Sequence, residues 1–170
     1  MPWIYRSVRK VFIYDEESLC FEWAVMITLF QTYDAMKHAS EVELRFADID
    51  ALGHVNNAVY LSLLENARIR FFEAVIRKEI DWDSEGMILA RAEINYKAPV
   101  YLHDKIVIYT WVSRLGNTSF DMSYSLVKKN GDQEIEVANA ITVIVCFSYK
   151  TSKPVPIPEK WIVALNEYNG

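Results

Sequence analysis

The chain of 170 residues and 19.8 kDa has the length of one domain and can bury a core without staples. Its 52% hydrophobic and 24% charged residues exclude an intrinsically disordered chain, and five Gly with five Pro exclude collagen-like or low-complexity character. A net charge of −5, with both signs mixed along the chain, argues against duplex nucleic acid as the main partner.

Residues 1–38 read differently from the rest. Arg6, Arg9 and Lys10 are followed by Asp15, Glu16 and Glu17, then by an apolar run from Leu19 to Phe30 that contains Glu22. The intervening acids are wrong for a secretory signal, and the run is too short to span a bilayer, so no membrane partner is expected. Two readings stay open. The segment is a short docking element, or the natural start is Met36 and the stretch before it is a start-site artefact. Either way the functional domain is expected to cover residues 39–170. Cys20 and Cys146 match no metal-ligand spacing and form no C-x-x-C, so they read as reduced, buried thiols of a cytoplasmic protein.

From Glu41 onward the patterning is regular. Val42, Leu44 and Phe46 alternate with Glu43 and Arg45, as in a half-buried strand. A turn-rich polar segment, Ala47 to Asn57, follows, and Asn56 and Asn57 are suitable N-caps. Ala58 to about Arg77 reads as a helix without Gly or Pro. Its apolar stripe is Tyr60, Leu63, Leu64, Ala67, Phe71, Phe72 and Val75. Four strands are then expected: Ile88 to Tyr96, Lys105 to Ser113, one through Phe120, Met122, Tyr124 and Leu126, and a long one from Glu134 to Tyr149. In the last, Ile135, Val137, Ile141, Val143, Val145 and Phe147 share a face. Asn130-Gly131 marks a hairpin turn. Trp161 to Tyr168 forms a short terminal helix. Short connections imply antiparallel neighbours, giving an α+β layer in which a curved sheet wraps the long helix. Lys105–Ser113 is apolar on both faces, so a second subunit is expected to cover its outer side, around Tyr109 and Trp111.

The chemistry concentrates between Arg45 and Arg70. Asp48, Asp50, His54, Asn56 and Asn57 crowd the start of a helix, where open N–H groups and the helix dipole can polarise a carbonyl. A carboxylate on a loop pinned by Gly53 can act there as nucleophile or as general base on water. The residues alone leave alternatives. Two aspartates before a helix can simply cap it, and His54 can be a structural hydrogen-bonding group. A D-x-D pair can bind a divalent cation, but no further acidic cluster supports one, so no metal is expected.

The run D-I-D-A-L-G-H-V-N-N-A-V-Y-L…E-N-A-R, Asp48 to Arg68, resembles the hot-dog acyl-CoA thioesterases of the 4-hydroxybenzoyl-CoA thioesterase group. The resemblance covers about Ser40 to Tyr168. It implies a hot-dog fold, with a long central helix wrapped by a five-stranded antiparallel sheet. It also implies hydrolysis of an acyl thioester carried by coenzyme A, or by acyl carrier protein, without a cofactor. By the same resemblance Asp50 is the catalytic carboxylate, the Asn57 main-chain N–H polarises the thioester carbonyl, and His54 orients. Tyr60, Asn56 and Glu65 are expected to contact substrate, with Glu65 paired to Arg68 by default and kept as a reserve catalytic acid. Asp48 is expected to shape the loop. Arg91, Lys97, Lys128 and Lys129 are candidates for the coenzyme A phosphates. Protomers are expected to join as a homodimer or homotetramer with sites between them. Two other functions fit the same fold. One is an acyl-CoA-binding protein without catalysis. The other is a dehydratase using His54 and Glu65. The acyl chain itself stays open.

Overall fold

A computed structural model describes residues 37–76 and 86–169, all within one compact unit spanning Met36–Gly170. The readings of the apolar run before residue 31, of Cys20, and of the helix end at Arg77 lie outside the described residues.

Among the described residues of this unit are six strands and two α-helices: β1 His38–Val42, α1 Val59–Val75, β2 Gly86–Tyr96, β3 Lys105–Leu115, β4 Ser119–Asn130, β5 Gln133–Ser148, β6 Lys153–Pro154 and α2 Glu159–Asn169. Every pairing is antiparallel, in the order β1-β3-β4-β5-β2, with the two-residue β6 added to β5. This is the α+β hot-dog arrangement expected from the sequence, with β6 as a small addition.

α1 buries the seven residues that its 3.6-residue periodicity marks: Tyr60, Leu63, Leu64, Ala67, Phe71, Phe72 and Val75. They meet Ile106, Ile108 and Val112 of β3 and Phe120, Met122, Tyr124 and Leu126 of β4 in one continuous core. Phe72 packs edge-on against Phe120 at 6.0 Å, and Phe71 against Tyr168 at 5.6 Å, so α2 joins the same core. At full burial, each such side chain contributes about 1.5–3 kcal/mol.

Three local expectations are corrected. The first strand does not run on to Phe46. It ends at Val42, and Phe46 is 83% exposed at the start of a 3-10 turn, Phe46–Asp48. Asp48 causes the turn by accepting the Arg45 N–H at 2.8 Å, which folds the chain back before another ladder pair can form. At the entrance to α1, Ala58 occupies the half-in position and has no side-chain cap. Asn56 acts two residues earlier, its Oδ1 accepting the Ala58 N–H at 2.9 Å and its carbonyl the Val59 N–H at 2.9 Å.

The third correction concerns β5. A bulge displaces the register, so that Leu126 faces Ala138 while Val127 faces Glu136 and Val137 is skipped. Val137 and Ala138 are consequently both buried. Beyond the bulge the even positions Ala138, Ala140, Thr142, Ile144 and Cys146 face the core, while Ile135 and Ile141 are exposed. The alternating apolar face expected from Ile135 to Phe147 is therefore split. The bulge also serves the neighbouring chain, since the Val137 carbonyl accepts both the Lys97 and the Ala98 N–H, at 2.8 and 3.1 Å.

Candidate active site

The loop from Arg45 to Asn57 is built by two aspartates that do different work. Asp48 is 2% exposed and accepts two hydrogen bonds from the Arg45 guanidinium, at 2.8 and 3.3 Å, beside the Arg45 N–H. Those bonds, the side-chain ones foremost, hold its carboxyl below the ordinary Asp range against the opposing effect of burial. Three hydrogen bonds from Arg45 thus commit this buried carboxylate to folding the turn.

Asp50 begins a second turn. Its N–H donates to the His54 carbonyl at 2.9 Å, and its own carbonyl accepts the Gly53 N–H at 3.1 Å. Gly53 has φ +88°, a left-handed conformation that a residue with a Cβ rarely adopts. The Ile49–Val55 bridge closes the base of this turn, and Asn56 N–H to Asp48 carbonyl at 2.9 Å ties it to the first. The Asp50 side chain accepts the Leu52 N–H at 2.8 Å, the His54 N–H also lowers its pKa, and His54 Nδ1 lies 3.5 Å from Oδ1. Desolvation acts to raise its pKa. The Leu52 and His54 N–H groups and the imidazole together outweigh it, so the carboxyl lies below its ordinary value. Asp50 is therefore ionised at neutral pH.

Asp50, His54, Val55, Asn57, Tyr60, Tyr96, Lys97, Ala98 and Pro99 line one cleft of about 520 Å³. The Asn57 N–H finds no acceptor among the described residues, while the next two N–H groups are taken by Asn56. A carboxylate and an uncommitted main-chain donor thus border the same space. Tyr60 is buried, which raises its pKa, with the nearby Tyr96 adding to the effect, so its phenol stays protonated.

Of the six site residues expected from sequence, four line this cleft: Asp50, His54, Asn57 and Tyr60. Asn56 lies outside it and supports the turn. Glu65 also lies outside, 62% exposed on α1 and 3.7 Å from Arg68. Arg68 turns inward toward the buried phenol of Tyr124, which also meets Thr142 Oγ1 at 3.1 Å. Among the four candidate cations only Lys97 reaches the cleft. Each of the four has a carboxylate partner: Glu93 for Arg91, Glu136 for Lys97, Asp104 for Lys128 and Glu134 for Lys129. Tyr96 was missed as a cleft residue. Its alternation with Ile94 on the helix-facing side of β2 was the available signal. Among the described residues no group of three or more His, Cys, Asp or Glu is placed to hold a metal, and no helix is long and apolar enough to cross a membrane.

A long helix wrapped by an antiparallel sheet, with this cleft at the helix start, is the arrangement of the hot-dog thioester hydrolases. Residues 44–165 match the thioesterase-like superfamily, and the chain belongs to it. It is 29% identical over 117 residues to the long-chain acyl-CoA thioesterase FadM of Escherichia coli, covering 67% of this chain and 86% of that protein. It is 31% identical over 125 residues to the 1,4-dihydroxy-2-naphthoyl-CoA hydrolase of Synechococcus elongatus, covering 69% and 86%. A Thermus thermophilus thioesterase solved with coenzyme A and zinc superposes with a TM-score of 0.68 at 31% identity, over 81% of this chain and 96% of that one.

Proposed function

We propose that the protein hydrolyses acyl-CoA thioesters in the cleft at the start of α1, with Asp50 attacking the carbonyl or activating water and the Asn57 N–H receiving the oxyanion. The observation that carries this is the pairing of an ionised Asp50 with an uncommitted Asn57 N–H on one cleft. A donor fixed before the reaction stabilises charge that develops on the carbonyl oxygen. In the direct route an Asp50 oxygen bonds to the acyl carbon and the C–S bond breaks. The coenzyme A thiolate takes a proton, and water then hydrolyses the acyl-aspartyl anhydride. In the alternative route Asp50 takes a proton from water as the water oxygen bonds to the acyl carbon, the C–S bond then breaks, and the coenzyme A thiolate takes the proton from Asp50. His54 holds the carboxylate orientation from 3.5 Å. Glu65, outside the cleft and paired with Arg68, is a structural residue here.

Lys97, the one candidate cation that lines the cleft, is assigned to a phosphate of the coenzyme A arm, exchanging Glu136 for the ligand as it binds. The protein works as a homo-oligomer joined through β2. That strand lies at the end of the sheet, pairs only with β5 among the described residues, and exposes Ile88, Leu89 and Tyr96. A long, flat, open edge of this kind is otherwise an aggregation hazard. Light scattering is expected to give a dimer or tetramer. Ile88→Lys with Leu89→Asp is expected to shift it toward monomer.

The direct test is a thiol-release assay on a panel of acyl-CoAs of varied length and aromatic character, with the same acyl groups on acyl carrier protein as a second arm. Turnover that disappears in Asp50→Ala and Asp50→Asn supports the assignment. Full turnover in both variants, with folding intact, overturns it.

A further inference from the structure

We infer that Tyr96 is a positioning residue for the oxyanion donor, acting through the Asn57 peptide and not through substrate. This rests on the proposed role of Asn57. The Tyr96 phenol donates to the Asn57 carbonyl at 3.0 Å across 39 positions of sequence. α1 begins only at Val59, so this carbonyl stands ahead of the helical ladder, and a side chain from β2 holds it instead of a backbone N–H. A residue in a two-residue lead-in to a helix has few constraints of its own. The Asn57 carbonyl belongs to the peptide with Ala58 and its N–H to the peptide with Asn56; holding the first by Tyr96 and the second by the Asn56 turn restricts the φ and ψ that relate the two, and so the orientation of the N–H.

Three features support the phenol as a built anchor. Its ring stands edge-on to Tyr60 at 4.9 Å, and Tyr60 is buried on α1, so a ring contact to the same helix start supports the hydrogen bond. The following N–H groups, of Lys97 and Ala98, are both held by the Val137 carbonyl at the β5 bulge, which fixes the end of β2. Tyr96 itself sits opposite Ala138 in the ladder, on the face that looks toward α1. The sheet end, the bulge and the helix start therefore converge on one peptide.

The experiment is Tyr96→Phe, which keeps the ring against Tyr60 and removes only the hydroxyl. Steady-state thiol release is expected to show a fall in kcat of about three- to tenfold, the rate equivalent of one hydrogen bond. KM is expected to stay within twofold, the acid limb of the pH–rate profile to stay in place, and the melting temperature to be unchanged. The amide resonances of Asn57 and Ala58 are expected to move in the same variant. A kcat equal to wild type overturns the inference, as does a loss confined to KM, which would make Tyr96 a substrate-binding group. Unmoved Asn57 and Ala58 resonances also overturn it. Asp50→Asn separates the two levels. If that variant keeps full turnover, the underlying site assignment has failed. If it is inactive while Tyr96→Phe is wild-type, only the positioning role has failed.

Discussion

The two turns of the Arg45–Asn57 loop carry the same residue type two positions apart and treat it in opposite ways. Around Asp48 the chain closes, and Arg45 places three hydrogen bonds on the buried carboxylate. Around Asp50 the carboxylate is held by the Leu52 and His54 N–H groups, with the imidazole at a longer distance, and it borders the cleft. Both carboxyls lie below their ordinary pKa, so charge alone does not distinguish them. On the proposed assignment, what separates the structural carboxylate from the reactive one is its place on the cleft beside an uncommitted donor. The motif places the two aspartates together because the first turn must be rigid for the second to aim.

The sharpest way to break this contrast is to neutralise each in turn. Asp50→Asn is expected to lower kcat by about 10²–10⁴ while leaving the melting temperature within a degree or two of wild type. Asp48→Asn is expected to do the reverse, costing about 1–3 kcal/mol in denaturant unfolding with kcat changed much less. Equal kinetic losses in the two variants would erase the distinction.

A gentler probe is His54→Ala, which removes the imidazole from Asp50 but not the Leu52 N–H. It is expected to lower kcat by about five- to tenfold, the equivalent of roughly 1 kcal/mol. Lys97→Ala lies on the other wall of the cleft. It is expected to raise KM for acyl-CoA by about three- to fivefold with kcat unchanged, an effect that fades at high salt.

The smallest effect concerns pH. A depressed folded-state pKa gives stability that is present above the unfolded value of about 3.9 and lost as pH falls through the folded value. Wild type is therefore expected to lose more stability between about pH 5 and pH 2 than Asp48→Asn, which lacks one such group. Thermal melts across that range measure the difference. By the same sign, the acid limb of kcat/KM in the wild-type enzyme is expected below the ordinary Asp range.

Much of this loop was legible in the sequence, because its determinants are local. Asp50, Gly53, His54 and Asn57 lie within eight positions, and backbone hydrogen bonds among neighbours build the turn. The buried stripe of α1 was legible for a similar reason, since a helix repeats its face whatever lies beyond it. Failures occurred where a distant partner or a register change decides. Phe46 looked like the next residue of a strand, but Asp48 had already turned the chain. In β5, Val137 and Ala138 are both apolar, and nothing in the alternation shows that one will be skipped. Tyr96 reaches the site only because β2 ends beside the start of α1, a juxtaposition that spacing within the motif cannot show.

The sheet order has a consequence for how the protein reaches this state. β3, β4 and β5 are joined by tight turns and can zip as consecutive hairpins, whereas β1 must find β3 across about 70 residues and β2 must find β5 across about 50. The meander is therefore the expected nucleus, and the two outer strands arrive late. The Asp50 loop hangs between β1 and α1, and its Tyr96 clamp comes from the last residue of β2. On this order the cleft at the start of α1 is assembled late, once β1 and β2 have joined the central hairpins. Destabilised variants are expected to lose activity by fraying at this seam while the central hairpins remain protected from amide exchange.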